Sequence, residues 1–213
     1  MHILAKRILT GLALSASFTA TFFYLPPFVL SFLFILALLA VLAFEWPKIL
    51  STKGLAFWLV TPLYPVLPFA LLITLNQNNY QRILVFVVIS LTALYDTGAY
   101  TAGKVFGKHK IAPSISPQKT WEGLFGGYAL TLSATLIMSH YNLINIPLSL
   151  TLTFAALISG TAFLGDLFES WLKRKALIKD SSNILPGHGG ILDRFDGILA
   201  VTCVIYLLKN CLT

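Results

Sequence analysis

The sequence predicts an all-α integral membrane protein that crosses the bilayer about seven times, with its N-terminus in the cytoplasm. Three observations carry that reading. Hydrophobic residues make up 57% of the 213-residue chain and charged residues only 11%, less than half of the roughly 25% charged residues of a soluble domain. The apolar residues fall into runs long enough for a helix to cross the hydrocarbon core. The basic residues gather on one side of those runs.

The spans follow in order. Lys6 and Arg7 precede an uncharged stretch over 8–25. It is long for a secretory signal, and another apolar run follows Pro26-Pro27, so it reads as a retained first span. Residues 28–44 form the second. Glu45, Trp46, Pro47, Lys48 and Lys53 then read as a loop with an aromatic at the lipid–water edge. The third span, 55–75, carries Pro62, Pro65 and Pro68, which bend or interrupt a helix. Residues 76–81 are a short polar loop. The fourth span, 83–103, holds Asp96 in its last third. A hydrophilic basic segment over 104–122 separates it from the fifth span, 124–139. The sixth, 148–172, has Asp166 and Glu169 near its end, and the seventh, 190–208, opens with Asp193, Arg194 and Asp196. With no internal repeat and no linker, 1–213 reads as a single transmembrane domain. Residues 1–80 are N-terminal hydrophobic spans, and 83–208 are the part that carries the polar motifs.

Orientation follows from counting charges. With the N-terminus inside, the inner segments hold Lys6, Arg7, Lys48, Lys53, Lys104, Lys108, Lys110, Lys119, Lys173, Arg174, Lys175 and Lys179, while Arg82 and Lys209 fall outside. That is the positive-inside asymmetry. It accounts for most of the net charge of +7, and a nucleic-acid partner is not needed to explain it. The acids obey the same geometry. Asp96, Glu122, Asp166, Glu169, Asp193 and Asp196 lie near inner span ends, and Glu45 and Asp180 in inner loops. One cytoplasmic polar site would therefore gather nearly every carboxylate. Cys203 and Cys211 lie roughly 12 Å apart along one helix, too far for a disulfide, and read as packing residues.

Chemistry concentrates between Ser170 and Asp196. Carboxylates brought together repel unless a cation or proton lies between them. Magnesium suits them, since it takes one or two carboxylates and fills its other positions with water and phosphate. Lys119, Lys173, Arg174, Lys179 and Arg194 are candidate phosphate ligands, Arg by paired bonds and Lys as a point charge. Lys104, Lys108 and Lys110 read instead as an ordinary basic loop. The Gly187-His188-Gly189-Gly190 turn exposes backbone N–H groups where a helix begins, a seat for an anion. His188 is open to three readings: a base, a phosphate donor or a turn residue. Asp180, beside Lys179, is balanced between a local ion pair and a role in the site.

Ser170-x-Leu172-Lys173-Arg174-x4-Lys179-Asp180-x-Ser182-x2-Leu185-Pro186-x-His188-Gly189-Gly190-Ile191-x-Asp193-Arg194-Phe195-Asp196 resembles the signature of the phosphatidate cytidylyltransferases, or CDP-diacylglycerol synthases. Asp96-Thr97-Gly98-Ala99-Tyr100 through Ser116-Pro117-Gln118-Lys119-Thr120-Trp121-Glu122-Gly123 resembles the family's second block, and Gly165-Asp166-Leu167-Phe168-Glu169-Ser170 the lead-in to the signature. The likeness covers 83–208; the first 80 residues match only as hydrophobic spans. It implies a bacterial inner-membrane enzyme, with homodimers admissible, that makes CDP-diacylglycerol and pyrophosphate from CTP and phosphatidate with magnesium, a second cation being allowed. It implies Asp166 and Asp193 as metal carboxylates, with Asp96 and Asp196 as second choices. Asp166, Asp193, Lys179, Arg194 and His188 would be catalytic. Ser116, Lys119, Thr120, Glu122, Ser170, Lys173, Arg174, Asp180, Gly189 and Gly190 would bind substrate.

Three rivals fit less well. A CTP-dependent polyprenol or dolichol kinase is disfavoured by the intact His188-Gly189-Gly190 signature. A transporter should place its ionisable groups near mid-membrane between inverted repeats. A CDP-alcohol phosphotransferase needs Asp-Gly-x2-Ala-Arg, whereas Ala200 is followed by Val201.

Overall fold

Apolar runs in hydrocarbon fold as helices because the backbone must satisfy its own hydrogen bonds there. A computed structural model describes residues 15–182, 184 and 189–212. Helix α1 is described over 15–24. It is followed by α2 (Pro27–Ala40), a π turn (Val41–Glu45), α3 (Trp46–Ile49), α4 (Leu55–Thr61), a second π turn (Pro62–Val66), α5 (Leu67–Gln77) and α6 (Arg82–Phe106). Then come β1 (Lys110–Ala112), β2 (Ser116–Thr120), α7 (Trp121–His140), α8 (Leu148–Lys175) and α9 (Leu192–Leu212).

Among the described residues five helical stretches are long and apolar enough to cross a membrane: Pro27–Ile49, Leu55–Gln77, Arg82–Phe106, Leu148–Lys175 and Leu192–Leu212. They correspond to the second, third, fourth, sixth and seventh expected spans. The first expected span lies partly outside the described residues. The fifth is the helix α7, whose Gly, Ser and Thr content keeps it out of that set. The expected loop at Glu45 is instead helix as far as Ile49. The all-α expectation also misses an antiparallel hairpin, in which Lys110 faces Thr120 and Ala112 faces Ser116. Pro113 and Pro117 bar a helix from this polar run, so it pairs with itself. The proline-rich span breaks where expected, with Tyr64 in a non-helical conformation.

Small residues set how the helices approach. A Cβ on Gly98 of α6 would sit 2.5 Å from the Gly126 carbonyl oxygen of α7, and one on Gly123 would sit 2.8 Å from the Ala99 carbonyl. The two backbones touch because no side chain intervenes. Likewise a Cβ on Gly165 of α8 would meet the Asp196 carbonyl of α9 at 2.8 Å, so the two helices touch at the turn that carries Asp166 and Asp196. We expect Gly98→Ala to cost about 1–3 kcal/mol of stability by overpacking, read as a lowered unfolding midpoint in detergent; an unchanged midpoint would refute the close approach. The N-terminal helices join the bundle through Phe69 and Phe195, with ring centroids 5.0 Å apart. The Asn76 amide donates to the Pro27 carbonyl at 2.7 Å and to the Ser31 hydroxyl at 2.9 Å.

Candidate active site

Four elements deliver polar side chains to one cavity of about 420 Å³. From α6 comes Asp96; from β2, Ser116, Lys119 and Thr120; from α8, Asp166 and Lys173; from α9, Asp193, Arg194 and Asp196; Asp180 adds a carboxylate from the loop. The volume is in the range of small-molecule sites. Asp96, Asp166 and Asp196 thus face one shared space.

The hairpin's work is to carry Lys119 back to α8. Its ammonium lies 2.6 Å from Asp166 Oδ2 and 4.7 Å from the centre of the Phe163 ring. Asp166 Oδ1 accepts from the Ser170 hydroxyl one helical turn on, at 3.2 Å. The Asp166 side chain keeps 38% of its surface exposed, so it can still meet a ligand.

Asp193 is held differently. Its Oδ1 is 2.7 Å from the Lys173 ammonium, and its Oδ2 accepts the Gly190 N–H at 2.7 Å. The Ser181 N–H reaches both oxygens, at 3.3 and 3.1 Å. Lys173 is shared with the wholly buried Glu169, 3.0 Å away. Asp193 therefore braces the start of α9, and its two oxygens are already engaged. Gly189 needs its lack of a side chain: its φ is +78°, and a Cβ there would lie 2.7 Å from Asp193 Oδ2. Asp196 takes the N–H of Gly197 at 2.6 Å.

Other expected residues stand apart from the cavity or face backbone. The Arg174 guanidinium donates to the Ile115 carbonyl at 3.1 Å and the Ile178 carbonyl at 3.3 Å, tying the hairpin turn to the end of α8. Thr120 caps α7 by accepting the Gly123 N–H at 3.1 Å. Glu122 does not line the cavity. It accepts the Lys108 N–H at 3.2 Å and stands 2.6 Å from His109 Nδ1. Its own backbone N–H, then the His109 ring and the amides of residues 108 and 109, pull its carboxyl down to about 2, so it is a fixed anion closing the hairpin. Lys179 is exposed, and His188 lies outside the described residues.

One contributor, Tyr95, is absent from the sequence expectations, and another, Glu45, is there only as an inner-loop acid without partners. Tyr95 lines the cavity beside Asp96, and Glu45 reaches the loop before α9 from the far end of the chain. An acid abutting an apolar run was the available signal for Glu45, but nothing local names partners 136 to 147 residues away.

A second cavity, about 490 Å³, opens beside the first. Phe18, Leu30, Phe34, Phe86 and Phe195 make it mostly apolar, although Ser and Thr residues of α1 and Ser90 of α6 also line it, and Arg194 lines both cavities. Arg194 of α9 thus lies where a polar cavity meets a mostly apolar one.

Comparison with known proteins finds relatives over most of the chain. A sequence model described as the cytidylyltransferase family matches residues 7–212. A phosphatidate cytidylyltransferase of Rickettsia bellii is 36% identical over 212 residues, covering 96% of this chain and 90% of its own. One from Staphylococcus epidermidis is 34% identical over 88% of this chain and 80% of its own. One from Staphylococcus saprophyticus is 43% identical over 74% of this chain and 60% of its own. On these matches the chain belongs to the cytidylyltransferase family, among the phosphatidate cytidylyltransferases.

Proposed function

We propose that this enzyme joins CTP to phosphatidate at the cytoplasmic face of the membrane, giving CDP-diacylglycerol and pyrophosphate. One observation carries the reading: Arg194 is common to a carboxylate- and lysine-lined cavity and an apolar one. A substrate with a phosphate head and acyl tails suits that junction, its head at the guanidinium and a chain between α1, α2, α6 and α9. A phosphatidate oxygen attacks the α-phosphorus of CTP. The new P–O bond forms as the bond to the β-phosphate breaks, and pyrophosphate leaves with the electron pair. The attacking phosphate is already an anion, so no base is required. The difficulty is repulsion between two polyanions, and Lys119 and Arg194 supply charge against it, while Lys173 is held by Glu169 and Asp193.

The donor set fits magnesium. Among the described residues no group of three or more His, Cys, Asp and Glu side chains forms a ready-made metal cage, but magnesium needs only one or two carboxylates plus substrate phosphate. Asp166, Asp96 and Asp196, which line the same cavity, would hold it. Asp193 would join them only by giving up Lys173 or its backbone donors. Bound there, the ion would neutralise charge on the phosphates. The side of the membrane rests on the distribution of Lys and Arg.

The test is purified protein with labelled CTP, phosphatidate and magnesium. The expected product is a lipid carrying CDP, with label from the α-phosphate. A lipid monophosphate labelled from the γ-phosphate would establish a kinase instead, and absence of any labelled lipid would refute the reading.

A further inference from the structure

Glu45 ends the π turn after α2, and none of its surface is exposed. Its Oε1 accepts from the Ser182 hydroxyl at 2.6 Å and the Ile191 N–H at 2.8 Å. Its Oε2 accepts from the Leu192 N–H at 2.7 Å and the Ser181 hydroxyl at 3.2 Å. The ion pairs among the described residues do not include it. Burying a carboxylate without a cation is costly unless hydrogen bonds replace its water. Here four donors do so, two of them backbone N–H groups at the positive end of α9.

The contact is tight enough to dictate sequence on the other side. A Cβ on Gly190 would collide with the Ser181 hydroxyl and lie 2.6 Å from Glu45 Oε1. Ser181 is gripped from two directions, its hydroxyl by Glu45 and its N–H by Asp193. The residues Glu45 holds flank those that line the polar cavity, and its own helix departs from α geometry at that turn. Such π turns recur at functional sites.

We propose that Glu45 is a positioning residue for the transfer. By fixing the first turn of α9 and the loop at Ser181-Ser182, it sets where Asp193, Arg194 and Asp196 stand. The N-terminal helices are then part of the catalytic apparatus as well as a lipid-facing wall. This rests on the reaction proposed above.

The test uses the full chain in detergent, comparing wild type with Glu45→Gln and Ser182→Ala. Gln keeps the length but turns an N–H₂ toward backbone donors. Three readouts apply: kcat and KM for each substrate per folded molecule, the unfolding midpoint, and amide exchange over residues 189–192. Misplacing reacting groups by about 1 Å costs about 10²-fold in rate. Glu45→Gln is therefore expected to lower kcat about ten- to a hundred-fold, to change KM for CTP less than about threefold, and to speed exchange at residues 191 and 192. Ser182→Ala, which keeps the carboxylate, should fall between this variant and wild type. If Glu45→Gln does not fold, Ser182→Ala alone decides, and wild-type kcat in it overturns the proposal. A folded Glu45→Gln with wild-type kcat also overturns it, as does a loss of rate only in proportion to lost folded protein. Wild type that makes no lipid-linked CDP overturns the reaction itself; amide exchange then still reports whether Glu45 holds α9, and unchanged exchange overturns the grip as well.

Discussion

Asp166→Asn is expected to lower turnover by about 10²-fold or more while the protein still inserts and folds. The size is that of removing one strong electrostatic contact from a reaction that builds up charge. The direction follows from the geometry. Asp166 sits between the Lys119 ammonium, 2.6 Å away, and the open cavity, with over a third of its side chain uncovered. Asn keeps the shape and can still accept from Ser170, so packing should survive. What it loses is the charge that orders Lys119 and attracts a divalent ion. Two measurements check this: initial rates across a magnesium titration, and the unfolding midpoint. The expected variant has a near-normal midpoint and a low rate that excess magnesium does not restore. A rate above about a tenth of wild type would remove Asp166 from the metal set.

Much of this was legible in the sequence, for a physical reason. A bilayer gives a long apolar run no alternative to helix, so five of the expected spans appear with ends shifted by a few residues. Carboxylates are so costly among such runs that their positions alone announced a shared site, and Asp96, Asp166 and Asp196 do line one cavity. The remainder depended on contacts that sequence spacing does not encode. The hairpin was hidden in a segment whose polarity looked like a basic loop, although its two prolines ruled out helix. Lys173 resembled a phosphate ligand, but Glu169 one turn earlier and Asp193 across the helix pair both claim it. Glu45 looked like a loop acid because its donors lie at the opposite end of the chain.

Asp193→Asn should fail in another way, and the contrast separates two roles that one signature motif leaves merged. Here activity is lost together with stability. The Asp193 and Lys173 side chains keep only 7% and 11% of their surface exposed. Removing one partner of such a pair leaves a buried charge uncompensated, which typically costs about 3–5 kcal/mol. Lys173 retains Glu169, so the lower end of that range is expected. The backbone loses as well. An Asn can offer its single oxygen to the Gly190 N–H or to the Ser181 N–H and Lys173, and its N–H₂ then opposes a donor on the other side. The backbone at Ser181 and over 189–192 should loosen, and Arg194, next to Asp193, should lose its place at the junction of the two cavities. The measurements are an unfolding midpoint taken without nucleotide or metal, and proteolysis at those residues. The expected result is a clear fall in midpoint and faster cleavage, both insensitive to magnesium. An inactive Asp193→Asn protein with a wild-type midpoint would instead mean that Asp193 exchanges Lys173 for the ion during the reaction. Asp193 would then belong with Asp166 as a metal carboxylate, and Glu45 would be left as the acid that holds the start of α9.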